Sequence, residues 1–294
     1  MLHLLDIRSL SFISSIISLV LSVCMVYISL TRKTYNGFSQ WTTASILYSF
    51  GMVLMSLRGI LPDFISIIVA NTFLMAGFVF IAYGLELFTD STRRIWLFAS
   101  LVTITIILCL FFTYYSPNVN ARIIAVSTII ALIYGYSGCL VHIHIPRLID
   151  DRNTFLVVLF IIQAMWNVLR VIHAVFIESN ITDYMQASGF YSLTVVVFFS
   201  GNIFIIIGLI VLNFQRVEFD LRTAMEEVKT LRGIIPICSS CKQIRDDQGI
   251  WNQIEAYISV HSEAEFSHSI CPECMKKLYP ELADENEYDS DDAG

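Results

Sequence analysis

Ser188–Phe214 reads SGFYSLTVVVFFSGNIFIIIGLIVLNF, 27 residues without one Lys, Arg, Asp or Glu. Roughly 20 apolar residues in a helix cross the hydrocarbon core of a bilayer. A helix is the open segment that can do so, because it satisfies its own backbone groups. The next residues, Gln215–Arg232 (QRVEFDLRTAMEEVKTLR), switch abruptly to mixed charge. A membrane span therefore runs straight into a water-exposed helix, and that junction organises the rest of the chain.

Upstream, six more stretches have the length and apolarity of spans: about 9–31, 38–58, 62–88, 94–115, 120–142 and 153–178. Short connections carrying Asn36-Gly37, Pro62-Asp63, Asp90-Ser91 or Ser116-Pro117-Asn118 separate them. The whole chain has 294 residues, 56% hydrophobic and 15% charged. Globular chains carry about 25% charged residues, so this composition excludes disordered, collagenous and nucleic-acid-coating proteins. The net charge of -7 is unevenly split. Residues 1–214 hold ten Lys/Arg against eight Asp/Glu, whereas residues 215–294 hold eight against seventeen. Arg32, Lys33, Arg93, Arg94, Arg147, Arg152, Arg216 and Arg222 fall on one side of the spans, and only Arg8, Arg58 and Arg122 on the other. The positive-inside rule then puts the amino terminus outside and the carboxyl terminus in the cytoplasm. The first stretch is longer than a signal-peptide core and lacks an A-x-A site, so it reads as an uncleaved span. The sequon Asn180-Ile181-Thr182 reads as chance.

Polar groups inside spans are functional candidates by default. The sixth span carries Gln163, Trp166, Asn167, Arg170 and His173 at steps of three and four, on one face. Arg58, near the outer end of the second span, lies at a depth comparable to Arg170 and His173. Arg58, Gln163, Asn167, Arg170 and His173 are thus candidates for a cationic, hydrogen-bonding pocket suited to an anionic ligand such as a carboxylate. The competing reading is that they hydrogen-bond neighbouring helices and fix the packing. Asn71 and Asn202 read as packing groups, and Glu86 as a partner of loop cations such as Arg93. No lysine occurs between Lys33 and Lys229, which excludes a retinal Schiff base on the seventh span. His142 and His144 lie at the inner edge and His173 in the outer half, a mismatch for bis-histidine haem. Buried carboxylates for ion transport are lacking apart from Glu86, and Cys24, Cys109 and Cys139 are scattered as small apolar fillers.

From Phe214 the apolar residues fall at Val217, Leu221, Ala224, Val228 and Leu231, an a/d seam. Glu218 with Arg222, and Arg216 with Asp220, are i,i+4 pairs worth about 0.2–0.5 kcal/mol each. Two and a half heptads are short for an independent coil. The seam is compatible with a parallel homodimer or with packing on its own molecule, and the dimer is the expectation.

Cys238-Ser239-Ser240-Cys241 and Cys271-Pro272-Glu273-Cys274 give two C-x2-C pairs. Four thiolates complete a tetrahedral site. A reducing cytoplasm favours a metal over disulfides, and a tail this small needs a staple. A structural zinc held by Cys238, Cys241, Cys271 and Cys274 is expected. Iron and a thiol redox pair are the alternatives. Rubredoxin knuckles place Gly after the second Cys, where this chain has Lys242 and Met275. His268 is a possible group behind a thiolate. Ile250, Trp251, Ile254, Tyr257, Ile258, Phe266 and Tyr279 are the expected core of the module.

The run Leu231–Asp247, with Trp251–Glu255 and Phe266–Cys274, resembles a small cysteine-rich module found at the carboxyl end of bacterial signalling proteins. Ser56–Asp63, Ile68–Thr72 and Tyr83–Glu86 are similar to the multi-span sensor regions of membrane diguanylate cyclases and histidine kinases. No GGDEF-type signature, phosphoacceptor His box, P-loop or GxGxxG follows.

The expectation is an all-α membrane protein. Its parts would be a seven-transmembrane-helix sensor domain (1–213), a coiled-coil connector (214–232), a four-cysteine zinc module (233–280) and a tail (281–294). That tail is acidic and poor in apolar residues, a composition that stays disordered. Together they would make a non-catalytic protein of the bacterial inner membrane. Its partners would be the bilayer, a second copy of itself and a cytoplasmic signalling protein, with no nucleic acid. A membrane redox protein and a transporter with a regulatory zinc tail are the competing readings.

Overall fold

A computed structural model describes residues 7–149, 153–178, 181, 184–186, 189–229, 236–246, 248–261 and 264–280. The acidic tail 281–294, Leu231 of the seam, the start of the module motif (231–235) and Asp247 lie outside the described residues, as do Asp6, Arg152, Asn180, Thr182 and Asp183. The chain forms two compact units, residues 1–221 and 222–294.

The described residues of the first unit are mostly helical: α1 (Ile7–Thr31), α2 (Phe38–Ser56), α3 (Ala70–Phe88), α4 (Ile95–Leu110), α5 (Val119–Ile149), α6 (Thr154–Phe176) and the greater part of α7 (Gly189–Lys229). A π-turn over Phe64–Val69 leads into α3, another over Phe111–Tyr115 ends α4, and a 3-10 turn covers Tyr184–Gln186. Six helical stretches are long and apolar enough to cross a membrane: Ile7–Thr31, Phe64–Phe88, Ile95–Tyr115, Val119–Ile149, Thr154–Phe176 and Gly189–Met225. The second stretch of the sequence reading also forms a helix, α2, yet is not one of these six. Its Thr42, Ser45, Ser49 and Ser56 are buried against protein, so its polarity belongs to an inward-looking helix.

That polarity is matched from α1, which buries Ser11, Ser14, Ser15, Ser18 and Ser22 on one face. The Ser22 hydroxyl meets those of Ser45 at 2.8 Å and Ser49 at 3.0 Å. Small residues let helices approach closely where lipid gives no hydrophobic drive. Gly84 on α3 does the same for Trp41, whose indole N–H donates to the Ile81 carbonyl at 3.2 Å. Tyr48, Phe78, Tyr134 and Phe160 form a chain of ring contacts through the centre. Residues turned outward are apolar: Phe12, Val20, Leu30, Leu132, Met165 and Phe176 are all exposed, as a lipid-facing surface requires.

α5 runs to Ile149, well beyond the expected end near residue 142. Pro146 lies inside it, but Ile145 and Ile149 are buried, so the apolar face continues into the core and carries the helix through the proline. α7 is a single 41-residue helix that continues past Leu221 to Lys229.

The second unit holds a short antiparallel hairpin, β1 (Ile244–Arg245) with β2 (Trp251–Asn252), then α8 (Ile254–His261) and α9 (Pro272–Leu278). Ile244 is its one fully buried side chain among the described residues. Ile250, Trp251, Phe266 and Tyr279 are exposed, while Ile254, Tyr257 and Ile258 are half-buried. The expected apolar core is therefore not closed. A unit this short, with its thiols near the surface, has too little apolar surface to enclose.

Candidate functional site

Four arginines converge at the end of the bundle where α1 and α5 start and α2 and α6 finish. After α2 the chain turns sharply, with the Ile60 and Leu61 N–H groups both donating to the Leu57 carbonyl at 3.0 Å. Gly59 takes φ 82° there, a left-handed conformation that glycine adopts without strain. This turn presents Arg58. Its carbonyl accepts a 2.9 Å hydrogen bond from Arg8 Nη2, which ties the start of α1 to the end of α2. Arg122 occupies the first turn of α5, is 7% exposed, and donates from Nη1 to the Thr113 hydroxyl at 2.9 Å. Arg170 comes from α6 and reaches the Tyr184 hydroxyl at 3.4 Å.

Arg58, Arg122 and Arg170 line one cavity with about 860 Å³ of empty space, its mouth included. The Tyr184 ring lies under both Arg58 and Arg170, each guanidinium carbon 5.8 Å from the ring centroid. Ser66 of the π-turn, Asn71 of α3 and Thr194 of α7 add neutral polar groups. An adjoining cleft shares Arg58, Arg122 and Tyr184 and adds Arg8 and Asp63. Planar, permanently charged guanidinium forks match carboxylates and phosphates. The charge and donor geometry of this wall suit an anion.

The five residues expected to form the pocket divide. Arg58 and Arg170 line the cavity; Gln163, Asn167 and His173 do not. Gln163 Nε2 donates to the Val197 carbonyl on α7 at 3.2 Å, and Asn167 Nδ2 donates to the Gln163 carbonyl at 2.8 Å. The His173 ring stacks on Phe190 with centroids 3.8 Å apart. Gln163 and His173 thus meet α7, while Asn167 is buried with its amide on its own helix. Gln163 lies seven residues below Arg170, about 10 Å along the axis, whereas His173 lies three residues beyond it toward the helix end. Arg122 and Arg8 are members that sequence reading left as loop cations. Their common depth with Arg58 is the signal that marks them.

Glu86 also differs from expectation. It is fully buried, and its carboxylate accepts from the Tyr136 hydroxyl at 2.6 Å and the Arg94 backbone N–H at 2.9 Å. Arg94 itself lies over the Tyr136 ring. Asn202 accepts from the Tyr134 hydroxyl at 3.0 Å, a packing role as expected, whereas Asn71 lines the cavity.

At the opposite end of the bundle α7 is fastened to the α1–α2 connection. Asn213 Oδ1 accepts from the Tyr35 N–H at 3.0 Å. Arg216 Nη1 donates to the Phe88 carbonyl at 2.7 Å and its guanidinium lies 4.3 Å from the Tyr35 ring centroid. The Tyr35 hydroxyl donates to Asp220. Burial, then the Asp220 hydrogen bond, push the Tyr35 hydroxyl up to about 12. Arg216 and Asp220, expected as a helix-surface pair, thus both turn to the same tyrosine. On the seam, Phe214, Leu221 and Ala224 are exposed.

In the second unit each cysteine pair sits on its own scaffold. The first is a knuckle: Cys238 N–H donates to the Gln243 carbonyl at 2.8 Å and Lys242 N–H to the Cys238 carbonyl at 3.0 Å. Lys242 has φ 62°, so it adopts the left-handed conformation for which such knuckles use glycine. The second pair brackets the start of α9, where Cys271 is the residue before the helix and Pro272 opens it. The Cys241 N–H aimed at the Cys238 sulfur, followed by that of Ser240, holds the Cys238 thiol below its ordinary value. The Cys274 N–H does the same for Cys271. Cys241 and His268 line one surface cleft. All four cysteines are free thiols. Among the described residues no group of three or more His, Cys, Asp or Glu is close enough to hold a metal. The donor chemistry of each pair suits a soft metal, while the two pairs are not gathered into one coordination sphere.

No protein-family model, curated protein or solved structure matches this chain.

Proposed function

We propose that the protein is a non-catalytic membrane sensor that binds an anionic ligand in its arginine-lined cavity and relays occupancy along α7 to the cysteine module. The carrying observation is the composition of the cavity wall. Arg58, Arg122 and Arg170 face the same space as Thr194, Val195 and Phe198 of α7, so an occupant touches the helix that continues in sequence into the second unit. In this reading α2 counts as an inner seventh span, and the excess of Lys and Arg on one side favours an outside amino terminus and a cytoplasmic module in a bacterial inner membrane. The exposed Phe214, Leu221 and Ala224 favour a second copy of α7 as the seam's partner, and the module would contact a cytoplasmic protein.

In this reading Cys238, Cys241, Cys271 and Cys274 hold a zinc ion, with His268 beside them. The open core of the second unit supports a staple, since such small units depend on one. When bound, the metal supplies folding free energy rather than chemistry. The N–H groups aimed at Cys238 and Cys271 sulfurs favour thiolates, which also suits a second reading, dithiol chemistry in the tail. Metal analysis with absorption spectra separates them: one colourless zinc per chain supports the sensor, whereas coloured iron or a disulfide cycling at constant metal content supports redox.

The relay is tested with the full-length Leu221→Cys variant in lipid nanodiscs. Cross-linking between Leu221→Cys chains should change when a carboxylate ligand is added, and Arg170→Gln should abolish the change. Binding without any change in cross-linking would remove the relay.

A further inference from the structure

The cavity is two-sided in chemistry, and that narrows the ligand. At its end stand Arg58, Arg122, Arg170 and Tyr184; below them the wall is Met52, Met55, Met75, Phe78, Ile130 and further apolar side chains. The lining runs from Arg58, in the turn after α2, down to Tyr48 within it, and on α5 from Val119 down to Ile130. Ten or eleven residues of helix correspond to about 15 Å of depth. A small hydrated anion would fill the arginine end and leave this apolar shaft wetted. Methionine side chains are flexible and polarizable, so a wall built on three of them adapts to a linear apolar chain.

The arginine end asks for a negative charge. Arg170 Nε is buried without a hydrogen-bond partner among the described residues, and Arg170 Nη2 meets only the Tyr184 hydroxyl, at a long 3.4 Å. Arg122, almost fully buried, has the Thr113 hydroxyl as its hydrogen-bond partner. Cations at membrane depth with neutral hydroxyl partners are expensive unless an anion completes them. Asp63, the carboxylate that lines the adjoining cleft, acts on Arg122 electrostatically from there and does not line the cavity itself.

Resting on the anionic-ligand reading above, we infer that the ligand is an amphiphile with one anionic head and a linear apolar tail. The head is held by Arg58, Arg122 and Arg170, and the tail descends between α2, α3, α5 and α7. Such a molecule reaches the cavity either as a free fatty acid or as an anionic phospholipid whose acyl chain enters the shaft.

The test uses the full-length protein in phosphatidylcholine nanodiscs, with Tm as readout and decanoate, decanol and acetate as probes. Decanoate should raise Tm saturably, with little effect of decanol or acetate. Arg170→Gln and, independently, Arg122→Gln should weaken decanoate binding about tenfold or more, the scale of one lost charge-assisted hydrogen bond. Met75→Trp, which fills the shaft and leaves the arginines, should abolish the decanoate response. Acetate acting as strongly as decanoate overturns the amphiphile while the anionic reading stands. Decanol acting as strongly as decanoate, or no response to any probe in correctly folded protein, overturns both. Replacing part of the phosphatidylcholine by phosphatidylglycerol distinguishes the sources: loss of the decanoate response identifies the phospholipid, and an unchanged response identifies the free acid.

Discussion

Gly201 on α7 has no β-carbon because the Gln163 amide of α6 occupies that space. A Cβ built at Gly201 would lie 1.3 Å from Gln163 Nε2 and 2.4 Å from its side-chain carbonyl carbon. The approach lets Gln163 Nε2 reach the Val197 carbonyl, one turn before Gly201. A polar contact and a missing side chain therefore fix the pairing of α6 with α7.

Gly201→Ala should consequently push the Gln163 amide off the Val197 carbonyl and destabilise the bundle by the worth of one hydrogen bond, about 0.5–1.5 kcal/mol. Gln163→Ala vacates the space, so the Gly201→Ala/Gln163→Ala double variant should recover part of the loss. Thermal unfolding in detergent measures this. Additive losses in the double variant would refute the steric account.

Arg216 and Tyr35 make a second prediction. Arg216→Gln loses both the Phe88 hydrogen bond and the stacking on Tyr35, whereas Tyr35→Phe loses only the Asp220 bond. Net hydrogen bonds are worth about 0.5–1.5 kcal/mol and exposed cation–π contacts about 0.5–1, so Arg216→Gln should lower Tm more. The Tyr35 pKa is raised in the fold, so its contribution is whole below the ordinary tyrosine value of 10.0 and fades as pH rises through about 12. Ultraviolet titration of wild type against Tyr35→Phe should show the late-titrating phenol disappear. A Tyr35 titrating near its ordinary value would contradict the contact.

The helices were readable because lipid demands unbroken apolar runs, a constraint that composition displays directly. The run over Phe38–Ser56 was readable as a helix but not as an inner one, since its serines are explained only by the serines of α1. For the cavity, matching depth groups Arg58 with Arg170 and His173, and of these Arg58 and Arg170 line it. Gln163, Asn167 and His173 share a face with Arg170, but a stripe on one helix does not say which neighbour meets it at each level. Phe190, Val197 and Gly201 of α7 meet that stripe at successive levels. The C-x2-C spacing announced two thiol pairs, and their scaffolds differ in a way spacing does not carry: a left-handed residue in one, a helix start in the other.

Lys242 carries the third prediction. Its φ of 62° is a conformation that non-glycine residues adopt at a cost of about 1–2 kcal/mol. Lys242→Gly should stabilise the knuckle by part of that amount, and Lys242→Val, β-branched at a left-handed position, should destabilise it more strongly. Metal retention against a chelator by the full-length protein ranks the three. Equal retention by the glycine and valine variants would show that the backbone conformation at 242 has no bearing on the site.

Asp246 supplies the fourth. Its Oδ1 accepts from the Gln248 and Ile250 N–H groups at 3.0 and 2.8 Å, and its Oδ2 from Asn252 Nδ2 at 2.8 Å. The Ile250 N–H, foremost among these, holds the carboxyl below its usual value. A depressed folded pKa means that the carboxylate's contribution is complete above the unfolded value of 3.8. It is lost as pH falls through the lower folded value. The hairpin should thus remain protected at mildly acidic pH and open only under stronger acid. Asp246→Ala, which removes every acceptor, should leave the Ile250 amide exchanging freely even at neutral pH. Asp246→Asn keeps one side-chain oxygen and should retain intermediate protection without the acid transition. Hydrogen exchange of the peptide spanning β1 and β2, corrected for intrinsic rates, reads all three proteins. An acid transition persisting in Asp246→Asn would assign the pH dependence to another group.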